Sequence, residues 1–318
     1  MRILIIDNCH PVLKQKFESA GFICDYFEDI SRDKTQEIIS KYDGLIIRSK
    51  FIIDKQFLDR ATELKFIGRV GAGIENIDRD YANKKGVMCF NSPEGNRDAV
   101  GEHAVGMLLS LFNNLHISNA EVKAGVWNRE KNRGMELKGK TLGIIGYGNT
   151  GSAFAKKLSG FEINIISYDK YKNNYSDGYT TESAMEEIFE NSDILSLHVP
   201  LTSETKYMVN DEFLNGFKKN IFIINTSRGQ VIKTESLVKY LKSGKISGAA
   251  LDVLEFENFT FENLMLKHEN MSFNYLVNSE KVMLSPHTAG WTTESFFKMS
   301  EILADKIISY IVEELNNN

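Results

Sequence analysis

Thr141-Leu-Gly-Ile-Ile-Gly146-Tyr-Gly148-Asn149-Thr150-Gly151 is the stretch on which the reading of this chain turns. A strand-length apolar run enters a Gly146-x-Gly148-x-x-Gly151 turn and leaves it in the helical pattern Ser152–Leu158. Gly146 permits the tight turn, Gly148 lets backbone approach a pyrophosphate, and Gly151 lets helix pack close to strand, with Asn149 and Thr150 between them. The helix N-terminus can then face phosphates. Eighteen residues past Gly151 the next run, Ile163–Tyr168, ends at Asp169. An acidic side chain there can accept hydrogen bonds from a ribose diol and would repel a 2′-phosphate, which favours NAD over NADP. The bland alternative is a tight strand–helix turn with a solvated Asp169. A site for another adenosine ligand, such as a methyl donor, would share the glycines, so the residues downstream must discriminate.

Outward from this motif, strand-length runs alternate with amphipathic segments of helix length. The runs are Arg2–Asp7, Gly44–Arg48, Phe66–Val70, Thr141–Ile145, Ile163–Tyr168, Asp193–His198 and Phe222–Asn225. That alternation is the βαβ signature of a parallel sheet covered on both faces. The four prolines, Pro11, Pro93, Pro200 and Pro286, all fall in expected loops, three of them just after an apolar run, where open α/β sheets form their ligand crevice. Ala99–Leu115 reads as one long connector helix, with Val100, Ala104, Met107, Leu108 and Leu111 at helical spacing. The strands of the second half begin at Thr141, after the polar linker Lys131–Lys140, and run through Val282–Leu284. The last segment, Glu294–Leu315, is helical by period and is expected to pack back on the first domain.

The chain has 318 residues, enough for about two domains with cores of their own. A net charge of −5 and no basic block argue against nucleic acid and against an anionic membrane surface as partners. Cys9, Cys24 and Cys89 show neither CxxC nor Cys/His spacing. They read as reduced thiols of a cytoplasmic protein, and no metal site is expected. The apolar run Ile3–Ile6 is stopped by Asp7 and is too short for a signal peptide or a membrane span.

Three further stretches place polar groups after strand-like runs. Ile221-Phe-Ile-Ile-Asn225-Thr226-Ser227-Arg228-Gly229 puts an arginine, the side chain suited to gripping a carboxylate with two N–H groups, just beyond an apolar strand. Gly248-Ala-Ala-Leu-Asp252-Val-Leu-Glu255-Phe-Glu257 and Leu284-Ser-Pro-His287-Thr-Ala-Gly290-Trp291 add a glutamate and a histidine at the same sheet edge.

With these stretches on the page the chain resembles the D-isomer-specific 2-hydroxyacid dehydrogenase family, which includes D-3-phosphoglycerate, D-lactate and glyoxylate/hydroxypyruvate dehydrogenases. The resemblance is also carried by Val70-Gly-Ala-Gly-Ile-Glu-Asn-Ile-Asp78, Asn91-Ser-Pro-Glu-Gly-Asn96, Glu102-His103-Ala104 and His198-Val199-Pro200-Leu201. It implies two Rossmann-like, doubly wound parallel-sheet α/β domains, one flavodoxin-like and one NAD-binding. The substrate domain would comprise residues 1–96 and 291–318, and the NAD domain 97–290. It implies Arg228, Glu257 and His287 as the catalytic set. In reduction His287 would donate a proton to the developing alkoxide while NADH delivers hydride, Glu257 would hold the imidazole and favour its charged form, and Arg228 would orient the substrate and polarise its carbonyl. Gly146, Gly148, Asn149, Thr150, Gly151, Asp169, Val199, Pro200, Thr226, Ser227, Asp252 and Gly290 would line the cofactor, together with Arg228 and His287. Ala72 and Gly73 would offer N–H groups to the carboxylate of a small 2-hydroxy or 2-oxo acid, with Arg48 a second anion binder. The resemblance further implies a homodimer joined through the NAD domains; the cleft is expected to close over cofactor, and feedback control through a C-terminal regulatory module is not expected.

Some positions depart from the family pattern. Asn258 stands where a proline usually follows the catalytic glutamate, and Glu255 is a neighbour that could be mistaken for Glu257. Asn258–Glu280 is longer than usual and reads as a surface insertion anchored by Phe259, Phe261, Leu264, Met265, Phe273, Tyr275 and Leu276, or as a border of the substrate cleft. Trp291 either walls the pocket or fills the hinge. His103 reads as packing the connector helix, His198 as lining the cofactor through its backbone, and His10, His116 and His268 as structural. A non-catalytic dinucleotide sensor is the alternative from another class, but the expected basic or peptide-binding extension is missing. A formate dehydrogenase would resemble this chain with Gln in place of Glu257.

Overall fold

The computed structural model describes residues 1–258, 264, 265 and 270–317, the last four as backbone only. It forms two compact units, one from Met1–Asn96 and the residues from Trp291 onward, the other from Arg97–Asn258 and the described residues between 264 and 290.

The first unit is built on five parallel strands, β1 (Arg2–Ile5), β2 (Ile23–Tyr26), β3 (Gly44–Ile47), β4 (Phe66–Arg69) and β5 (Met88–Asn91), in the order β2-β1-β3-β4-β5. That is the flavodoxin-like arrangement, with its switch point between β1 and β3. The period of two along the first strand explains the layering. Leu4 and Ile6 join Leu45, Ile47 and Ile67 on one face, while Ile3 and Ile5 join Ile46 and Phe66 on the other. The crossovers are α1 (Val12–Ser19), α2 (Arg32–Ile38), α3 (Lys55–Arg60) and α4 (Arg79–Lys84). Ser31, Asp54 and Asp78 cap the last three by accepting from the N–H of Lys34, Phe57 and Tyr81.

The second unit has seven parallel strands: β6 (Thr141–Ile145), β7 (Asn164–Tyr168), β8 (Thr181–Glu182), β9 (Ile194–Leu197), β10 (Ile221–Asn225), β11 (Ile246–Leu251) and β12 (Val282–Leu284). Their order is β12-β11-β10-β9-β6-β7-β8, which is the dinucleotide-binding order 3-2-1-4-5-6 with one strand added. The chain reverses direction across the sheet between β6 and β9, so the crevice lies beyond the C-terminal end of β6. The helices are α5 (Arg97–Phe112), α6 (Leu115–Lys123), α7 (Asn149–Lys157), α8 (Met185–Asn191), α9 (Asp211–Gly216), α10 (Thr234–Ser243) and α11 (Met271–Asn278). A final long helix, α12 (Thr293–Asn317), belongs to the first unit, where Leu303 and Ile307 pack with Leu13, Phe17 and Ile46.

Both sheets bear out the expected doubly wound α/β class. Two local expectations are corrected. The segment Ala99–Leu115 is not one helix: α5 stops at Phe112, and Asn114, with φ of 51°, turns the chain into α6. Asparagine tolerates that left-handed conformation better than most residues. In the Asn258–Glu280 segment, Phe259 and Phe261 lie outside the described residues. Its second half is α11, whose Leu276 is buried and whose Tyr275 packs on the core of the second unit. Met265 and Met271 stay exposed. Among the described residues no helix is long and apolar enough to cross a membrane.

Candidate active site

The turn after β6 shows why its glycines are there. Gly146 has φ of +92°, and a Cβ on it would lie 2.6 Å from the His198 carbonyl oxygen and 3.0 Å from Val199 Cγ1. A Cβ on Gly151 would lie 2.2 Å from the Gly146 carbonyl oxygen, so α7 can approach β6 only without a side chain there. Gly148 differs from both, because a Cβ on it would meet nothing within 4 Å. The protein's own packing does not demand glycine at 148, and the open space above it suits a group brought in from outside. No side chain caps α7, so the N–H groups of its first turn have no partner within the helix. Beyond β10 the buried Thr226 hydroxyl has no hydrogen-bond partner among the described residues. An open glycine, an uncapped helix N-terminus and an unpartnered hydroxyl at one sheet edge fit a dinucleotide.

Asp169 stands one residue past β7, and its two carboxylate oxygens accept from the N–H of Tyr147 (2.9 Å) and of Tyr171 (3.0 Å). The side chain therefore ties the glycine turn to the β7 loop, and each oxygen retains acceptor capacity. His198 is a structural residue, packed between the hydroxyls of Ser196 (2.8 Å) and Thr150 (3.1 Å). Burial pushes its imidazole down to about 3, which favours the neutral form. Pro200, two residues further on, is exposed.

Arg228, Glu257 and His287 come after β10, β11 and β12, three neighbouring strands of the sheet. His287 Nδ1 lies 2.6 Å from Glu257 Oε2, with both side chains largely buried. The other Glu257 oxygen accepts from the Leu254 N–H. Glu255 points elsewhere, accepting from the Thr234 N–H at 2.9 Å at the start of α10 and bonding to the Tyr207 hydroxyl. Geometry thus separates the two glutamates that sequence placed side by side. On the next loop, Asn225 holds the turn that carries Arg228. Its Oδ1 accepts from the Ser227 N–H (3.0 Å) and Oγ (2.7 Å), and its Nδ2 donates to the Arg228 carbonyl (3.0 Å). A Cβ on Gly229 would fall 2.0 Å from the Leu254 carbonyl, so the Arg228 turn lies directly on the turn leading to Glu257.

His287 has a positive φ of 55°, which is uncommon for a side chain of its size. Asp252 fixes that conformation. Its carbonyl accepts from the His287 N–H at 2.7 Å. Its carboxylate, 1% exposed, accepts from Ser285 Oγ (2.6 Å) and from the N–H groups of Thr288 and Ala289 (2.9 Å each). Burial opposes the charge, but the bonds from His103, Ser285, Ala289 and Thr288 outweigh it and hold the carboxyl down at about 2. Gly290 ends this loop.

The anion-binding candidates of the first unit form their own group. Asp7 gathers the backbone after β3, its Oδ2 accepting from the N–H of Arg48, Ser49 and Lys50 at 2.8–3.0 Å. The Arg48 guanidinium stacks on Trp291, with Cζ 3.8 Å from the ring centroid. Arg69 Nε (3.1 Å) and Asn76 Nδ2 (3.3 Å) both donate to the Arg48 carbonyl. The Ala72–Gly73 loop follows Gly71, whose φ is +147°, and is held by Asn91 Nδ2 donating to the Ala72 carbonyl at 2.6 Å.

The remaining histidines divide. His10 accepts from the Val12 N–H at 3.2 Å and meets Phe296 and Phe297 edge-on, while His116 contacts the carbonyls of Ser110 and Glu280. His268 lies outside the described residues. His103, expected to cap or pack its helix, also reaches Ser285 and Asp252. Sequence also gave no sign of the parts played by Asp7 and Asn225, although an Asn one residue before Thr-Ser-Arg is a side chain able to hold a turn. Among the described residues no group of three or more His, Cys, Asp or Glu side chains could hold a metal.

Residues 105–289 match the family model of the D-isomer specific 2-hydroxyacid dehydrogenase, NAD binding domain. The chain belongs to the D-isomer specific 2-hydroxyacid dehydrogenase family. It is 36% identical to a glyoxylate reductase of Thermofilum pendens, over 90% of this chain and 83% of that protein. It is 32% identical to the D-3-phosphoglycerate dehydrogenase of Methanocaldococcus jannaschii over its full length, but spans only 59% of that relative. Among solved structures, the D-lactate dehydrogenase of Aquifex aeolicus complexed with NAD and lactic acid superposes with a TM-score of 0.82 at 25% identity, covering 99% of this chain and 96% of that one.

Proposed function

We propose that the protein is an NAD-dependent oxidoreductase for a small D-2-hydroxy acid and its 2-oxo acid, of the 3-phosphoglycerate or glycerate/hydroxypyruvate type. The observation that carries this reading is the 2.6 Å contact between His287 Nδ1 and Glu257, one loop from Arg228 and at the same C-terminal edge of the sheet as a glycine turn open above Gly148.

Bound NADH supplies a hydride to the 2-oxo carbon. With Nδ1 turned to Glu257, His287 presents Nε2 to the substrate oxygen and donates a proton as the alkoxide develops. The Glu257 carboxylate stabilises the imidazolium and fixes the ring. Arg228 polarises the carbonyl and orients the carboxylate. Arg48 and the N–H groups of Ala72 and Gly73, in the substrate domain formed by residues 1–96 and 291–318, add charge and donors for the acid. Gly146–Gly151, Asp169, Val199, Pro200, Thr226, Ser227, Asp252 and Gly290, within 97–290, hold the dinucleotide, and Asp169 selects NAD.

A homodimer joined through the second domain is part of the same reading. Leu115, Val122, Val126, Trp127 and Met135, on α6 and the chain that follows it, are 43–83% exposed in the single chain, a run of apolar surface suited to a partner copy. The thiols of Cys9, Cys24 and Cys89 are free, and burial raises Cys9 to about 12, which suits a reducing, cytoplasmic compartment. The test is NADH and NADPH oxidation against hydroxypyruvate, 3-phosphohydroxypyruvate, glyoxylate, pyruvate and 2-oxoglutarate. Turnover of roughly 10 per second with one of them is expected. Silence with all five, while NADH still binds, favours a dinucleotide sensor instead.

A further inference from the structure

We propose that His103, on α5, is a positioning residue that holds His287 in its working conformation through Ser285 and Asp252. The links are short and continuous. Ser285 Oγ lies 2.6 Å from Asp252 Oδ1 and 3.0 Å from His103 Nε2. A hydroxyl that gives its hydrogen to the carboxylate must accept at its lone pair, so His103 carries its proton on Nε2 and donates it to Ser285. The same nitrogen lies 3.5 Å from Asp252 Oδ1. Asp252 passes the constraint on, because its carboxylate holds the N–H groups of Thr288 and Ala289 and its carbonyl holds the N–H of His287. The chain of contacts therefore starts on α5 and ends on the backbone of a residue whose φ is 55°. A largely buried polar network centred on Asp252 is rigid only while its members are paired. Without the N–H of His103 on its oxygen, the Ser285 hydroxyl is free to swing between Asp252 and the Met107 sulfur, 3.8 Å away, and when it does Asp252 Oδ1 is left with the Thr288 N–H and loses one of the two bonds that fix it.

The catalytic part of this inference rests on His287 as proton donor, and the test separates the two. His103→Leu removes the donor at similar bulk, and His103→Gln restores an N–H at the same reach. Amide hydrogen exchange of the peptide containing Thr288 and Ala289 is measured in both, alongside NADH affinity by fluorescence and steady-state kinetics with hydroxypyruvate. Expected in His103→Leu is about tenfold faster exchange of those two amides, a kcat lower by about tenfold, and an NADH Kd and hydroxypyruvate KM changed less than about twofold. His103→Gln should recover most of both losses. Unchanged exchange in the Leu variant overturns the proposal, as does a Gln variant no better than Leu, which would mean that the ring only fills space. Should His103→Leu not fold, Ser285→Ala cuts the same chain one link later and must give the same exchange and kcat pattern. If the wild type is silent towards hydroxypyruvate, the functional reading fails on that substrate, and exchange alone still decides whether His103 holds the loop.

Discussion

Glu257→Gln and Glu255→Gln, made in parallel, test the choice between two neighbouring glutamates that the resemblance implies and the geometry supports. Glu257 keeps one oxygen 2.6 Å from His287 Nδ1 and the other on the Leu254 N–H. A charge-assisted hydrogen bond is worth about 1.5–3 kcal/mol and a neutral one about 1 kcal/mol. Gln can keep the shape but not the charge, so the imidazolium loses about 1–2 kcal/mol of support. At 1.36 kcal/mol per decade, kcat/KM for reduction should fall roughly 5- to 30-fold. Glu255 serves the N-terminus of α10, where a carboxylate on the Thr234 N–H is worth about 1 kcal/mol of stability and nothing in the proton transfer. Glu255→Gln should therefore lower the urea midpoint and leave kcat/KM within about twofold. Loss of reduced-nicotinamide absorbance gives the rates, and urea unfolding followed by circular dichroism gives the stabilities. Full activity in Glu257→Gln, or the larger kinetic loss in Glu255→Gln, refutes the reasoning.

Other predictions address the remaining parts. Gly148→Ala should melt like wild type but bind NADH at least about tenfold more weakly, whereas Gly146→Ala, at φ of +92° and 2.6 Å from the His198 carbonyl oxygen, should lose stability first; equal melting losses would dismiss the open cradle. The depressed Asp252 carboxyl, about 2 against an ordinary 3.8, contributes about 2 kcal/mol of stability that is complete above about pH 4 and lost as pH falls towards 2. Asp252→Asn should accordingly be less stable at neutral pH and show a flatter acid limb in urea titrations. Trp291→Ala removes the surface on which Arg48 is stacked; cation–π contacts are worth about 0.5–2 kcal/mol, so KM for the oxo acid should rise roughly 2- to 30-fold with kcat little changed, and an unaltered KM would take Arg48 out of substrate binding.

How far the fold could be read ahead depended on burial. The central strands β1, β3, β4, β6, β9 and β10 are apolar runs because both of their faces are covered, and each was legible to within two residues. The strands that went unread lie at the sheet edges. β2, Ile-Cys-Asp-Tyr, leaves Ile23 64% exposed, and β5, Met-Cys-Phe-Asn, leaves Met88 40% exposed. β8 is two residues long. Their sequences carry little hydrophobic signal because the edges bury little. The break between α5 and α6 was legible in principle in Asn113-Asn114, but a helical period that resumes at once after a single left-handed residue hides it. At the site, motifs marked which loops matter, not which atoms meet. Composition and periodicity do not tell Glu255 from Glu257; the family spacing points to Glu257, and the turn at Leu254 shows how that carboxylate comes to face the histidine. His103 and Ser285 are 182 positions apart, and nothing local to either foretells their contact.

The positive φ of His287 places a selective tension on this one position. A side chain held there costs of order 1 kcal/mol that glycine would not pay. Left to thermal stability alone, mutation and screening would drift towards glycine at 287, and every such gain in heat resistance would discard the imidazole. Any campaign to toughen this protein should therefore hold residue 287 fixed and look for its increments elsewhere.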